Sequence, residues 1–389
     1  MVQDVEHFVI NGGVFDLLFI IPFYFTKSLL WCQYWGQALH FVFSIGLGSI
    51  FTFFVLNKKN KIIAPLAAIS LLTLSRDSAF FHYAKNDGVV ALLALITSYF
   101  IVEKKLNRKN LFLIFSLLSL GPWVKMNALI SQLPLYLFLL FRLIKEKKIP
   151  LFPIIYHAFW MILCGAKNYL YTKNPFFPGL LTLFPPDLSG PTVAHYHRFY
   201  GNSGSMQNLV HHLKDFWMGK VVFLVSPFLV KLKNIHPYFI ISVSTFLIYL
   251  LYNGGLPHAR YYFAAHFVLN LFIFHSLAEK KIKASLLCFL LVFILLDSKI
   301  DKALMQASEI YHAHEKLSEQ EIVNEFIPLT KLWRKLEGKN KLDYILSDEL
   351  SNSYYLPLNL RLHTAVQTKR AAFLLECQGM EDILRLKEY

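Results

Sequence analysis

Five short segments crowded with lysine and arginine interrupt a series of apolar runs, and this alternation limits what the chain can fold into. The clusters are Lys58, Lys59 and Lys61; Lys104, Lys105, Arg108 and Lys109; Arg142, Lys145, Lys147 and Lys148; Lys231 and Lys233; and Lys280, Lys281 and Lys283. An apolar helix needs about 20 residues to cross a hydrocarbon core, and fewer where aromatic or basic side chains anchor its ends. With 55% hydrophobic and 16% aromatic residues among 389, and a mean hydropathy of +0.43, the chain is more apolar than a water-soluble domain of its size. The expected fold class is an all-α polytopic membrane protein. A net charge of +14 would suggest nucleic acid in a soluble protein. With 16 of the 39 Lys and Arg residues in five short loops between apolar runs, its distribution follows the positive-inside rule instead, and no nucleic-acid partner is expected.

About ten transmembrane helices are predicted: 38 to 56, 62 to 75, 87 to 102, 110 to 120, 125 to 141, 151 to 169, 219 to 232, 237 to 252, 261 to 277 and 283 to 297. Gly121-Pro122 breaks the fourth from the fifth, so two short helices are expected to meet there. Placing every basic loop in the cytoplasm and letting the chain alternate puts 76 to 86, 121 to 127, 170 to 218 and 253 to 260 outside. The expected domains are therefore an outer interfacial segment at 1–37, a transmembrane domain at 38–297 with an outer loop at 170–218, and an extracytoplasmic tail at 298–389. The first segment carries no removable signal sequence, and starting outside it predicts a further helix upstream of Met1. The tail turns polar, with helical patterning near Ile310 to Leu336, a strand-like run at Leu342 to Ser347 and a closing helix at Met380 to Tyr389. A small α/β appendage is expected there, its closing helix pointing to further chain beyond Tyr389. The cysteines Cys32, Cys164, Cys288 and Cys377 are widely spaced with no CxxC, which predicts neither a zinc site nor a disulfide framework.

The residues able to carry chemistry collect on the predicted outer side. Arg76, Asp77, His82, Lys85, Asn86 and Asp87 precede an apolar run. Asp87 would lie near a helix N-terminus, where the dipole favours a carboxylate. It suits a general base, a metal ligand, or with Asn86 a simple helix cap. Lys125, in Gly121-Pro122-Trp123-Val124-Lys125-Met126-Asn127, is a cation on the side opposite the basic loops. It either holds a lipid-borne phosphate or snorkels to headgroups. The loop at 170 to 218 holds Lys173-Asn174-Pro175-Phe176-Phe177-Pro178-Gly179, Pro185-Pro186-Asp187 and His195-Tyr196-His197-Arg198, as suits a loop covering a site. His195, His197, His211 and His212 match no metal motif such as HExxH and read as surface residues. Arg260, in Pro257-His258-Ala259-Arg260-Tyr261-Tyr262, is an anion clamp or a headgroup anchor. No Walker, Rossmann, GxSxG or kinase pattern is present.

In order and sidedness these segments resemble the membrane glycosyltransferases of GT-C fold, particularly bacterial members similar to protein O-mannosyltransferases and aminoarabinose transferases. Lys85-Asn86-Asp87 resembles the family's second acidic motif, and Gly121 to Asn127 its Gly-x-x-x-Lys turn. Asn174-Pro175-Phe176-Phe177-Pro178 resembles its Asn-Pro-aromatic-x-Pro loop, and Arg260-Tyr261-Tyr262 its Arg-Tyr helix entrance. The resemblance covers most of the chain. It implies a bacterial inner-membrane enzyme that moves a sugar from a polyprenyl-phosphate carrier to an unidentified protein, lipid or glycan acceptor on the periplasmic face. The implied binding residues are His82, Lys85, Lys125, Asn174, Arg260 and Tyr261, with Asp87 and Asp4 as the candidate catalytic carboxylates. The family's principal catalytic Asp follows the first transmembrane helix. Residues 1–37 resemble the remainder of that loop, with Asp4 and Glu6 the acidic residues nearest its place and Gly12-Gly13 its Gly-Gly step. No cofactor is required by the sequence, although a divalent metal is compatible with Asp87. A truncated or non-catalytic relative that binds polyprenyl lipid or a partner protein is the alternative. A transporter fits less well, because the spans keep their charges at their ends.

Overall fold

The computed structural model describes residues 41–73, 87–126, 128–176, 221–230, 235–252 and 262–279, with isolated positions and three short strand segments elsewhere. A π-helical turn at Val42–Gly46 leads into α1 (Leu47–Asn57), followed by α2 (Ile63–Leu72) and α3 (Asp87–Glu103). Next come α4 (Arg108–Val124), α5 (Ala128–Lys145) and α6 (Leu151–Thr172). After a 3-10 turn at Val221–Val225 come α7 (Ser226–Leu229), α8 (Pro237–Tyr252) and α9 (Phe263–Ala278). Six of the ten expected spans, at 62, 87, 125, 151, 237 and 261, thus appear as helices with ends within a few residues of the sequence reading. In the span at 38, helical positions at Ala38, Leu39 and Phe41 precede the π-helical turn, and α1 follows it from Leu47.

Two expectations are corrected. The helix expected to stop at residue 120 continues through Gly121-Pro122 to Val124, and the break falls at Lys125. Proline inside a helix forfeits one backbone bond, but here the chain turns only once Lys125 takes extended backbone angles of φ −163° and ψ 127°. The span expected at 219 to 232 is a 3-10 turn joined to one short helix, Val221–Leu229. Of the span expected at 283 to 297, Leu290, Leu291, Val292 and Ile294 are described and helical. Residues 1–37, apart from isolated helical positions, and most of the loop at 170 to 218 lie outside the described residues.

The helix α9 lies at the centre of the bundle. All but two of its 16 residues are buried, and it packs against α3, α8, α2 and α1. Close approach is secured by Gly48 on α1, where an added Cβ would fall 2.9 Å from the Phe267 ring and 3.1 Å from Leu71. Small residues at such contacts let helix backbones meet where lipid supplies no hydrophobic drive. Polar side chains add interhelical bonds: Asn270 Nδ2 donates to the Ala67 carbonyl at 3.2 Å and Ser242 Oγ to the Ala265 carbonyl at 2.8 Å. The outward surface is apolar, with Phe54, Leu137, Phe141, Ile144, Phe152, Ile155, Phe159 and Ile162 exposed. A water-soluble fold does not present so broad an apolar face. The helix α5 has the length and apolarity to cross a membrane, while Val42–Asn57, α2, Pro237–Leu251 and α9 are shorter apolar helices.

The described ends of the helices meet in two groups. At one end Lys59 pairs with Glu103 at 3.5 Å, and the His236 and His275 rings lie 4.8 Å apart. There too Arg142 donates to the carbonyls of Ile101 and, at 3.1 Å, Lys104, and Lys148 to that of Leu106 at 2.8 Å. Arg142 thus satisfies the Ile101 carbonyl that α3 leaves unpaired in its last turn, while the Lys104 and Leu106 carbonyls belong to the loop that follows. Segments at or beside all five basic loops thus gather at one end, as alternation requires. In the tail, strands β1 (Tyr344–Leu346), β2 (Leu362–His363) and β3 (Leu375–Glu376) form a sheet of order β2-β1-β3, with β1 parallel to β2 and antiparallel to β3. The first of these falls within the strand-like run expected at 342 to 347.

Candidate functional site

At the end of the bundle opposite the basic loops, the N-terminus of α3, the C-terminus of α4 and the N-terminus of α5 come together around one ion pair. Asp87 opens α3 and is buried. Lys125 caps the C-terminus of α4, its backbone N–H bonded to the Gly121 carbonyl at 2.9 Å. Its Nζ donates to Asp87 Oδ1 at 2.6 Å. The Lys125 side chain keeps 24% of its surface exposed and that of Asp87 10%, so the cation faces outward and the carboxylate lies beneath it. Val89, Val90, Leu93, Val124 and Ala128 form a small apolar cluster in the helical turns next to the pair. The low polarity around such a pair strengthens its attraction and makes an unpartnered member costly.

The local sequence explains why Lys125 reaches Asp87. An added Cβ at Gly121 would land on the side-chain amide of Gln132, so the absent side chain lets α5 fold back closely against α4. The C-terminal turn of α4 is braced from its other side by α6. Trp123 Nε1 donates to the Trp160 carbonyl at 3.2 Å, their rings 5.9 Å apart and nearly perpendicular. The Cys164 thiol lies 3.7 Å from the Pro122 carbonyl, and Lys167 Nζ stands 6.0 Å over the Trp123 ring. Along the neighbouring faces of α4 and α6, Phe112, Phe152, Tyr156, Phe159 and Trp160 make a chain of aromatic contacts.

Asn174, buried just beyond α6, builds the start of the outer loop. Its Oδ1 accepts from the Phe176 N–H at 2.8 Å, its own N–H donates to Thr172 Oγ1 at 3.1 Å, and its carbonyl accepts from the same hydroxyl at 3.0 Å. Asparagine favours this kind of local turn. Lys173 before it stands in the left-handed region at φ 59°, and Asn168 Nδ2 reaches the Pro175 carbonyl at 3.4 Å. The Asn-Pro-aromatic motif is thus folded back on the end of α6 by its own polar groups.

Of the residues singled out from the sequence, the structure brings Asp87 and Lys125 into direct contact and gives Asn174 a turn-forming place. Asp4, His82, Lys85, Arg260 and Tyr261 lie outside the described residues. The sequence reading puts Asp87 and Lys125, 38 positions apart, at one level of the outer face but does not pair them. It also passes over a second polar cluster at the opposite end of the bundle, Glu103 with His236 and His275. Two histidines and a glutamate so far apart in the chain carry no spacing that would signal a common site.

No protein-family model matches this sequence, and no curated protein matches it at a significant level. Among solved structures, the chain is similar to the crystal structure of ArnT from Cupriavidus metallidurans bound to undecaprenyl phosphate, with a TM-score of 0.46 and 14% sequence identity. That likeness covers 85% of this chain and 60% of ArnT, so the chain spans about three fifths of the length of that protein.

Proposed function

We propose that this chain is a membrane transferase that takes a sugar from a polyprenyl-phosphate carrier and delivers it to an acceptor at the extracytoplasmic face. The observation that carries the reading is the Lys125–Asp87 pair, a cation held at 2.6 Å by a buried carboxylate on the side away from the basic loops. In this reading the ammonium of Lys125 meets the carrier phosphate and offsets the negative charge that develops as the sugar–oxygen bond breaks. Asp87 acts as a positioning residue: neutralised by Lys125, it fixes where the cation stands. A role for Asp87 as base or metal ligand would require Lys125 to move away. Arg260 supplies a second cation, and Asp4 is the carboxylate assigned to the acceptor proton. His82, Lys85 and Tyr261 are assigned to substrate binding from their place in the sequence, and Asn174 folds the chain back at the end of α6. The aromatic contacts between α4 and α6 offer a surface for the polyprenyl chain.

The test is binding of a short-chain polyprenyl phosphate to the protein in lipid nanodiscs, read from tryptophan fluorescence and checked by native mass spectrometry. A hydrogen bond to a charged group contributes about 1.5–3 kcal/mol, so Lys125→Ala should weaken binding by about 10- to 100-fold. The matching polyprenol without phosphate should bind equally to both proteins. Equal affinity of Lys125→Ala and the unsubstituted protein for the phosphate would sink the reading. A second reading, a non-catalytic polyprenyl-lipid binder, is favoured by the engagement of the Asp87 carboxylate with Lys125. Saturable binding without sugar transfer, in the full-length protein with its natural donor, would select it.

A further inference from the structure

The inner end of the bundle holds a cluster that the outer-face reading does not use. Glu103 is the first residue beyond the apolar span 87 to 102, His275 lies in the last turn of α9, and His236 stands just before α8. Each offers a ligand atom, and these atoms lie within 4.8 Å of one another. His275 is buried, with Nε2 3.0 Å from Glu103 Oε1. Tyr238, fully buried, stacks on the His236 ring at 5.0 Å and meets His275 edge-on at 5.7 Å, walling the cluster on the side of the bundle core.

We propose that Glu103, His236 and His275 form a binding site for a divalent transition-metal ion of the zinc class, at the cytoplasmic end of the bundle. Two imidazoles and one carboxylate from three separate elements are a donor set that zinc accepts, leaving a fourth position for water. The ligands around a tetrahedral zinc ion stand about 3.3 Å apart; Glu103 and His275 are already at 3.0 Å, so loading mainly draws in the most distant atoms, by up to about 1.5 Å. The side chains of Glu103 and His236, both partly exposed, have room for that movement.

Two further observations point to a cation here. The first is that a cation already stands in the cluster: Lys59 Nζ contacts His275 Nε2 directly and lies 3.5 Å from Glu103 Oε2. Lys59 belongs to the turn after α1 and keeps a third of its side chain exposed, so it can withdraw to solvent when a metal takes its position. The second is that, among the described residues, His275 Nδ1 is buried without a hydrogen-bond partner, and Glu279 Oε1 stands 3.5 Å away, so that a small shift on loading would let the carboxylate take the Nδ1 proton while Nε2 faces a metal. Metal binding would tie the inner ends of α3, α8 and α9 together through one ion.

The proposal is independent of the outer-face reading, and its test has a separate readout. Metal-stripped protein in detergent micelles is titrated with Co²⁺, followed by its visible d–d absorption, and with Zn²⁺, followed by the thermal unfolding midpoint. The expected result is one saturable equivalent with a tetrahedral Co²⁺ spectrum and a raised midpoint in Zn²⁺. In Glu103→Gln, His236→Gln and His275→Gln both signals should be lost, while polyprenyl-phosphate binding in Glu103→Gln stays unchanged. Lys59→Met removes a competing charge and should bind Co²⁺ about tenfold more tightly, a gain that misfolding cannot produce. Absence of saturable binding in both the unsubstituted protein and Lys59→Met would overturn the proposal. So would a Co²⁺ spectrum that survives all three ligand substitutions, since the ion would then sit at other histidines.

Discussion

Replacing Asp87 with asparagine keeps the shape of the side chain and removes its charge, so it isolates the ion pair at the outer end. Two unit charges 2.6 Å apart attract by about 6 kcal/mol at an effective dielectric constant of 20. Desolvating both groups offsets part of this, and removing one partner of a buried pair costs about 3–5 kcal/mol. Because Lys125 keeps 24% of its side chain exposed and can turn toward lipid headgroups, the expected loss for Asp87→Asn is at the low end, about 3 kcal/mol. Lys125→Met should cost a similar amount, because it strands the buried carboxylate. The double substitution should cost less than the two singles together, leaving a coupling energy of about 2 kcal/mol. The assay is a double-mutant cycle by reversible SDS unfolding in mixed micelles, followed by far-UV circular dichroism. Additive effects, with coupling under about 0.5 kcal/mol, would refute the argument that the pair positions Lys125.

Gly121→Ala should destabilise the protein by about 1–3 kcal/mol, since the new methyl falls on the Gln132 amide; adding Gln132→Ala should recover part of that loss in the same unfolding assay, and a neutral Gly121→Ala would show that α4 and α5 do not meet this closely. Asn174→Ala removes the acceptor for the Phe176 N–H and should cost about 1–2 kcal/mol. Asn174→Asp, which keeps that acceptor, should lose much less, and limited proteolysis of the loop after α6 should separate the two.

That the basic loops share one end of the bundle, and the rough limits of six of the ten expected helices, were legible in the chain itself. Apolar length and the position of Lys and Arg clusters are properties read along one dimension, and a membrane imposes both on the sequence. That is why Lys59, Glu103, Leu106 and Lys148, from three different loops, meet at one end, and why Lys125 was recognisable as a cation on the other side. The Gly121-Pro122 break was misplaced for a related reason. Proline is a local signal for a helix end, but packing of α4 against α5 and α6 carries the helix one turn further, to Val124.

Which residues face each other was decided by the tertiary structure. Partnership between Asp87 and Lys125, or among Glu103, His236 and His275, depends on the rotation of each helix about its axis and on how closely axes approach. Those settings come from contacts such as Gly48 against Phe267 and Gly121 against Gln132, between residues distant in sequence. From the chain alone Asp87 is a carboxylate with three open roles, and Glu103 carries no signal at all. Packing gave the first a lysine partner and the second two imidazoles, because only a folded bundle brings together charges that the sequence keeps far apart.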